Sequence, residues 1–107
     1  MLYFPQRKSD IEVIITNNRP GKSNMRSGYR PAFKITDDYL ASGIIKLVDC
    51  DKLVYGKEAI AEIWFLTPDL YPNCLKIGDI VLFQEGNVVH GSATITKINN
   101  KILEKDY

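Results

Sequence analysis

The chain has 107 residues, 45% apolar and 25% charged, with 14 basic against 13 acidic side chains and a net charge of +1; it reads as one globular domain able to bury a core without disulfide or metal staples. That near-neutral balance gives no support for a strongly basic nucleic-acid-binding surface, although an uneven distribution leaves room for a local patch. No apolar run reaches the length that spans a bilayer, and Met1-Leu2-Tyr3-Phe4 is too short for a signal sequence, so no membrane partner and a cytoplasmic location are expected.

Residues 1–10 carry charge and a proline without a period and read as an N-terminal arm. Residues 11–16, IEVIIT, form a short strand rich in β-branched side chains. Residues 17–27, NNRPGKSNMRS, read as a polar loop with Pro20 and Gly21 as turn formers. This loop holds Arg19, Lys22 and Arg26 with no acid among them, which makes it the most basic surface segment of the chain. Gly28-Tyr29-Arg30-Pro31 then leads into a strand at residues 32–35, where Pro31, which cannot donate to a ladder, marks a strand edge or first residue. A turn with Asp37 and Asp38 follows, then a strand at 41–48 and a connection at 49–56 ending in a glycine turn.

Residues 58–66, EAIAEIWFL, are read as a strand rather than a helix because Ala59, Ala61, Ile63 and Phe65 alternate with Ile60, Glu62, Trp64 and Leu66 between glycine and proline brackets. Trp64 and Phe65 cannot both face the core of such a strand. Trp64 shares its face with Ile60 and Leu66, and these three are the candidates for a protein-facing apolar stripe. Residues 67–77 hold two prolines and read as a loop with room for one helical turn.

Residues 78–98, GDIVLFQEGNVVHGSATITKI, read as two strands closed by a turn at Glu85-Gly86-Asn87. Val81 and Phe83 oppose Ile80, Leu82 and Gln84; Val89, Gly91, Ala93 and Ile95 oppose His90, Ser92, Thr94 and Thr96. The small run Gly91-Ser92-Ala93 marks a sharp bend or a close approach, as a closed barrel requires. Residues 100–107 are a polar tail. About six short strands at regular spacing indicate an all-β barrel or sandwich spanning residues 11–99.

The segments GYRPAF, SGIIKL, YGKEA, AEIWFLTP, GDIVLFQEG and HGSATITKI occur in the order of the motifs of another barrel. In this order and spacing the chain, from about Ile11 to Ile98, resembles the C-terminal domain (domain III) of elongation factor Tu. The resemblance implies a six-stranded antiparallel β-barrel. It also implies a stand-alone copy, because no second barrel is present and no G-x-x-x-x-G-K-[ST] phosphate loop occurs, so no GTP is expected as ligand. In that family the barrel contacts the T-stem backbone of tRNA and packs against protein partners. The family's tRNA contacts carry over to Glu85 and Gly86 at the hairpin turn and, with Ser for Thr, to Ser42. The sequence departs from the family at Gln84, Asn87 and Val88 around the turn, at Ala32, and over residues 21–25. Two cations near the tip are thereby lost, and Arg19, Lys22, Arg26 and Arg30 are the candidates to replace them.

Each candidate has a plainer reading beside the functional one. Glu85-Gly86-Asn87 also serves as a hairpin turn, Arg30 also serves as a strand-start ion-pair partner, and His90 as a packed or surface histidine. Asp37, Asp38, Asp49 and Asp51 read as solvated turn residues, since no calcium-type loop or carboxylate pair is spaced for chemistry. Cys50 and Cys74 are outside any C-x-x-C pair and read as free thiols. With no nucleophile–base pair, metal cluster or cofactor loop, no enzymatic activity and no cofactor are expected. Two functions stand: a non-catalytic, translation-related module on tRNA or structured RNA, or a protein-interaction module imitating the elongation factor surface, as an immunity protein, antitoxin or regulator.

Overall fold

Alternation of apolar and polar side chains produces eight strands in the computed structural model, which describes residues 4–105. They are β1 (Ile11–Thr16), β2 (Met25–Arg26), β3 (Ala32–Thr36), β4 (Tyr39–Leu47), β5 (Lys52–Leu53), β6 (Glu58–Phe65), β7 (Ile80–Glu85) and β8 (Val88–Ile98). Six of them close a barrel in the order β1-β6-β4-β3-β7-β8, with β8 pairing back onto β1 and every pair antiparallel. The six-stranded antiparallel barrel expected from the sequence is therefore the fold. The remaining two strands, β2 and β5, are two residues each and pair only with one another. Closure removes the free edges that an open sheet would present.

Inside, three phenylalanines meet. Phe33 lies 5.6 Å from Phe65, edge to face, and 5.7 Å from Phe83. Burying each ring contributes about 2 kcal/mol or more. The space comes from glycines on the facing strands. A Cβ on Gly43 would stand 2.9 Å from Phe33 Cε2, and one on Gly91 would collide with the Thr16 carbonyl and the Phe83 ring. Gly91 is thus the close approach that the run of small residues indicated.

The two ends of the barrel are tied by buried polar residues. Asn17 is buried; its Nδ2 donates to the carbonyls of Ser23 (2.9 Å) and Leu53 (2.8 Å), and its Oδ1 accepts from Arg19 N–H (3.0 Å). At the other end Asp10 is fully buried and accepts from Arg7 Nη1 (2.7 Å) and Nη2 (3.1 Å), Phe65 N–H (2.7 Å) and Asn100 Nδ2 (2.9 Å). Arg7 is held above its ordinary pKa chiefly by this hydrogen bond. The arm is therefore anchored at Ser9 and Asp10, both buried. The tail is anchored too: Leu103 is buried, and the Leu103 carbonyl accepts from Cys74 and Leu75 N–H, 2.9 and 2.8 Å. Cys50 and Cys74 are free. No helix among the described residues is long and apolar enough to cross a membrane.

Replacing Asp10 with Ala leaves a buried N–H and a guanidinium without their acceptor. Equilibrium denaturation is expected to show a loss of about 3 kcal/mol or more. Gly91→Ala drives a methyl into backbone and ring, and the same measurement should show a loss of about 1–3 kcal/mol, since the carbonyl it meets cannot rotate away.

Candidate functional site

The strand register decides which candidates share a surface. Ala32 of β3 pairs with Ser42 of β4 on one side and with Gln84 of β7 on the other. Their chain neighbours Phe33, Ala41 and Phe83 are fully buried, so Ser42, Ala32 and Gln84 lie in one outward row. At about 4.8 Å per strand the row spans roughly 10 Å. Two residues to either side of Ala32 stand Arg30 and Lys34, both exposed, and neither enters an ion pair among the described residues. Leu66 N–H donates to the Ser42 carbonyl at 2.9 Å and extends the row toward β6. Beyond Lys34 the turn residues Asp37 and Asp38 share a shallow hollow with Lys34 and Gln84 and end the basic part of this face.

The hairpin tip is more constrained than a bare turn. Gly86 adopts φ 57°, which suits the first of two turn residues. Glu85 is a strut: its Oε2 accepts from Tyr29 Oη at 2.6 Å and lies 3.1 Å from His90 Nδ1 and 3.8 Å from Arg19 Nη2. Tyr29 Oη has one proton and donates it in the hydrogen bond to the Glu85 carboxylate. The 3.0 Å contact between Tyr29 Oη and His90 Nδ1 therefore has the imidazole N–H as donor. Arg19 lies over the Tyr29 ring, its Cζ 4.8 Å from the centroid, and donates from Nη1 to the Asn24 carbonyl at 2.6 Å. Burial, and after it the hydrogen bond from Tyr29 to Glu85, pushes the Tyr29 hydroxyl pKa well above its ordinary value.

Of the basic loop residues, Arg19 is thus internal to the tip, while Lys22 and Arg26 are exposed. Lys22 Nζ stands 5.9 Å from the Tyr55 ring centroid, and Arg26 pairs across β2–β5 with Lys52. Lys34 and Lys52 are cations that the sequence reading did not single out. Lys34 was open to it, since it shares the outward parity of Ala32; Lys52 was not, since a two-residue strand has no period.

Ser42 and Arg30 also border a groove of about 510 Å³, whose lining includes Pro5, Arg7, Ile44, Trp64 and Leu66. Two of the protein-interface candidates therefore meet two of the RNA candidates. Trp64 does lie on the outer face, yet it is only 6% exposed, because Phe4 covers it at 5.5 Å and its Nε1–H donates to the Arg7 carbonyl at 2.8 Å. Phe65 points inward, so neither aromatic is exposed. Leu66 is 76% exposed and Ile60 46%, and the covered indole separates them. Ile60 instead pairs with Ile14, which pairs with Thr94, itself opposite Ile80; these positions form a second outward row, mostly apolar.

The surface offers cations without an acidic partner among the described residues, a hydroxyl, an amide and an apolar groove. Among the described residues no group of three or more His, Cys, Asp or Glu side chains is placed to hold a metal ion. No family model matches the sequence, and no curated protein matches it.

The raised pKa of Tyr29 has a definite sign. A group whose folded pKa lies above its unfolded value of about 10 stabilises the fold fully below that pH and loses the contribution as pH rises toward the folded value. Spectrophotometric titration should find one tyrosine ionising above the others. In Glu85→Gln that tyrosine should ionise at lower pH than in the wild type; an unchanged curve would leave burial as the sole cause.

Proposed function

We propose that this barrel is a non-catalytic binding module that seats the sugar–phosphate backbone of a tRNA or other structured RNA across the outer face of β3. The observation that carries this reading is the row Ser42–Ala32–Gln84 bracketed by Arg30 and Lys34, neither of which is ion-paired among the described residues. A hydroxyl donor and two cations suit phosphate and ribose oxygens, and the Gln84 amide, whose Nε2 donates to the Gly86 carbonyl at 2.6 Å, ties this row to the hairpin turn; contacts of this kind position RNA without reading its sequence. The exposed Gly86 turn, Lys22 and Arg26 extend the footprint past the tip. Arg19 and Glu85 hold the tip in shape instead of reaching out. The resemblance to elongation factor Tu domain III supports the same reading, since Ser42 and Gly86 match positions of that family's tRNA contacts; on this reading the protein acts in translation, in the cytoplasm.

A second reading, a protein-interaction module of the immunity, antitoxin or regulator kind, is favoured by the outward row with Ile80, Ile14 and Ile60. That row lies on β7, β8, β1 and β6, outside the β4–β3 face assigned to RNA.

Titration of labelled tRNA at two salt concentrations tests the first reading. Affinity should fall steeply with salt, and Arg30→Ala should weaken binding and lower the slope of log K against log salt by about 0.7–0.9. Lys34→Ala should cost less, since Asp37 and Asp38 already temper its field. Absence of binding at low salt, or full affinity in the Arg30→Ala/Lys34→Ala double variant, overturns it.

A further inference from the structure

The groove beside Ser42 is not accounted for by a backbone contact alone. It begins where the row ends, because Ser42 belongs to both and Leu66 N–H is bonded to the Ser42 carbonyl. An RNA backbone lying on Ser42 and Arg30 therefore passes its mouth. The walls are apolar, formed by Pro5, Ile44 and the highly exposed Leu66. Its volume of about 510 Å³ falls in the range of small-molecule sites.

The rim carries two arginines in different states. Arg7 is fixed, with both Nη atoms on the Asp10 carboxylate and Nη2 also on the Phe65 carbonyl at 3.2 Å, so its charge is compensated. Arg30 has no acidic partner among the described residues and presents its charge outward. The Ser42 hydroxyl is also without a protein partner there. The groove thus suits an apolar body, an anion beside Arg30 and a hydroxyl or carbonyl for Ser42. A nucleotide has all three.

Resting on the RNA reading above, we infer that the groove receives the base of one unpaired nucleotide, with its phosphate on Arg30. The preferred RNA is then a stem with a bulge or a free end, because the bases of an uninterrupted duplex are stacked away from a pocket of this kind. The base packs against Leu66 and Pro5, and Arg7, pinned by Asp10, keeps the far wall in place.

The test uses two RNA hairpins of equal length, one fully paired and one with a single bulged nucleotide, titrated by fluorescence anisotropy against the full chain. The bulged hairpin should bind about tenfold more tightly, the gain expected from burying roughly one apolar side chain's worth of surface. Leu66→Ala, at an exposed position that leaves folding intact, should abolish that preference while the paired hairpin keeps its affinity and salt dependence. Equal affinity of the wild type for both hairpins overturns the groove assignment and leaves the backbone reading standing. Binding of neither hairpin overturns both. A Leu66→Ala variant that loses affinity for both hairpins alike also refutes it. So does an acidic, leucine-rich peptide that binds in a Leu66-dependent way while the bulge gives no advantage; that outcome assigns the groove to protein.

Discussion

Asp10 is the interaction on which both the barrel end and the groove depend. Its side chain joins Arg7 of the arm, Phe65 of β6 and Asn100 of the C-terminal turn, and its backbone bonds Ile63, Asn99 and Asn100. Hydrogen bonds to a buried ionised group are worth about 1.5–3 kcal/mol each, and leaving such a group unpartnered costs more than a surface ion pair ever returns. The carboxylate is therefore committed to this one arrangement. Fixing Arg7 fixes its carbonyl, the carbonyl holds the Trp64 indole, and Phe4 covers the indole at that end of β6. The arm thereby becomes a wall of the groove, and what remains of the outer apolar surface at that end is Leu66 and its neighbours.

The core positions the other wall. Gly43 faces Phe33 so closely that any side chain there would have to displace the ring or the Trp64 carbonyl. Gly43 must therefore point inward, and period-two alternation then turns Ser42 outward. A slip of β4 by one residue would put Ser42 or Ile44 against Phe33 and leave either a buried hydroxyl or an overpacked ring. The hydroxyl of the candidate site is held in place by an aromatic–glycine fit on the opposite face of the strand. The tip follows the same logic at lower burial: Tyr29, edge-on to Phe83 at 6.2 Å, is anchored by the core and reaches out to hold Glu85 and His90.

Local alternation made much of this legible in advance. The bounds of β1 at Ile11–Thr16, the strand over EAIAEIWF and the inward parity of Phe83 and Gly91 follow from side-chain period alone. What stayed hidden depends on partners far apart in sequence. Asp10 with Phe65, and Tyr29 with Glu85, are separated by 55 and 56 residues. Val89, expected to share the inward face of Gly91, is exposed because the ladder shifts register between Phe83 and Gln84. Alternation gave Trp64 its outward side and said nothing of what covers it, since the arm that supplies Phe4 has no period. The tail reads as polar, yet buried Leu103 and backbone bonds to Asn73, Cys74 and Leu75 dock it.

A net charge of +1 is compatible with an anion-binding surface around Arg30 because, apart from Asp37 and Asp38 beside Lys34, several of the acids are engaged elsewhere. Asp10 is buried on Arg7, Glu85 is held among Tyr29, His90 and Arg19, and Asp49 and Asp79 accept from the backbone N–H groups of Ile60 and Lys76. Glu12 and Glu62 pair across β1 and β6, beside Lys97 and Lys46 on the neighbouring strands. Arg30 keeps its charge without a basic composition around it. Such a field fades within about 10 Å at ordinary ionic strength, so it cannot draw RNA from a distance. Selectivity on the proposed face would then come from fit: a rigid row about three strands wide, and a groove at its end that a continuous duplex leaves empty.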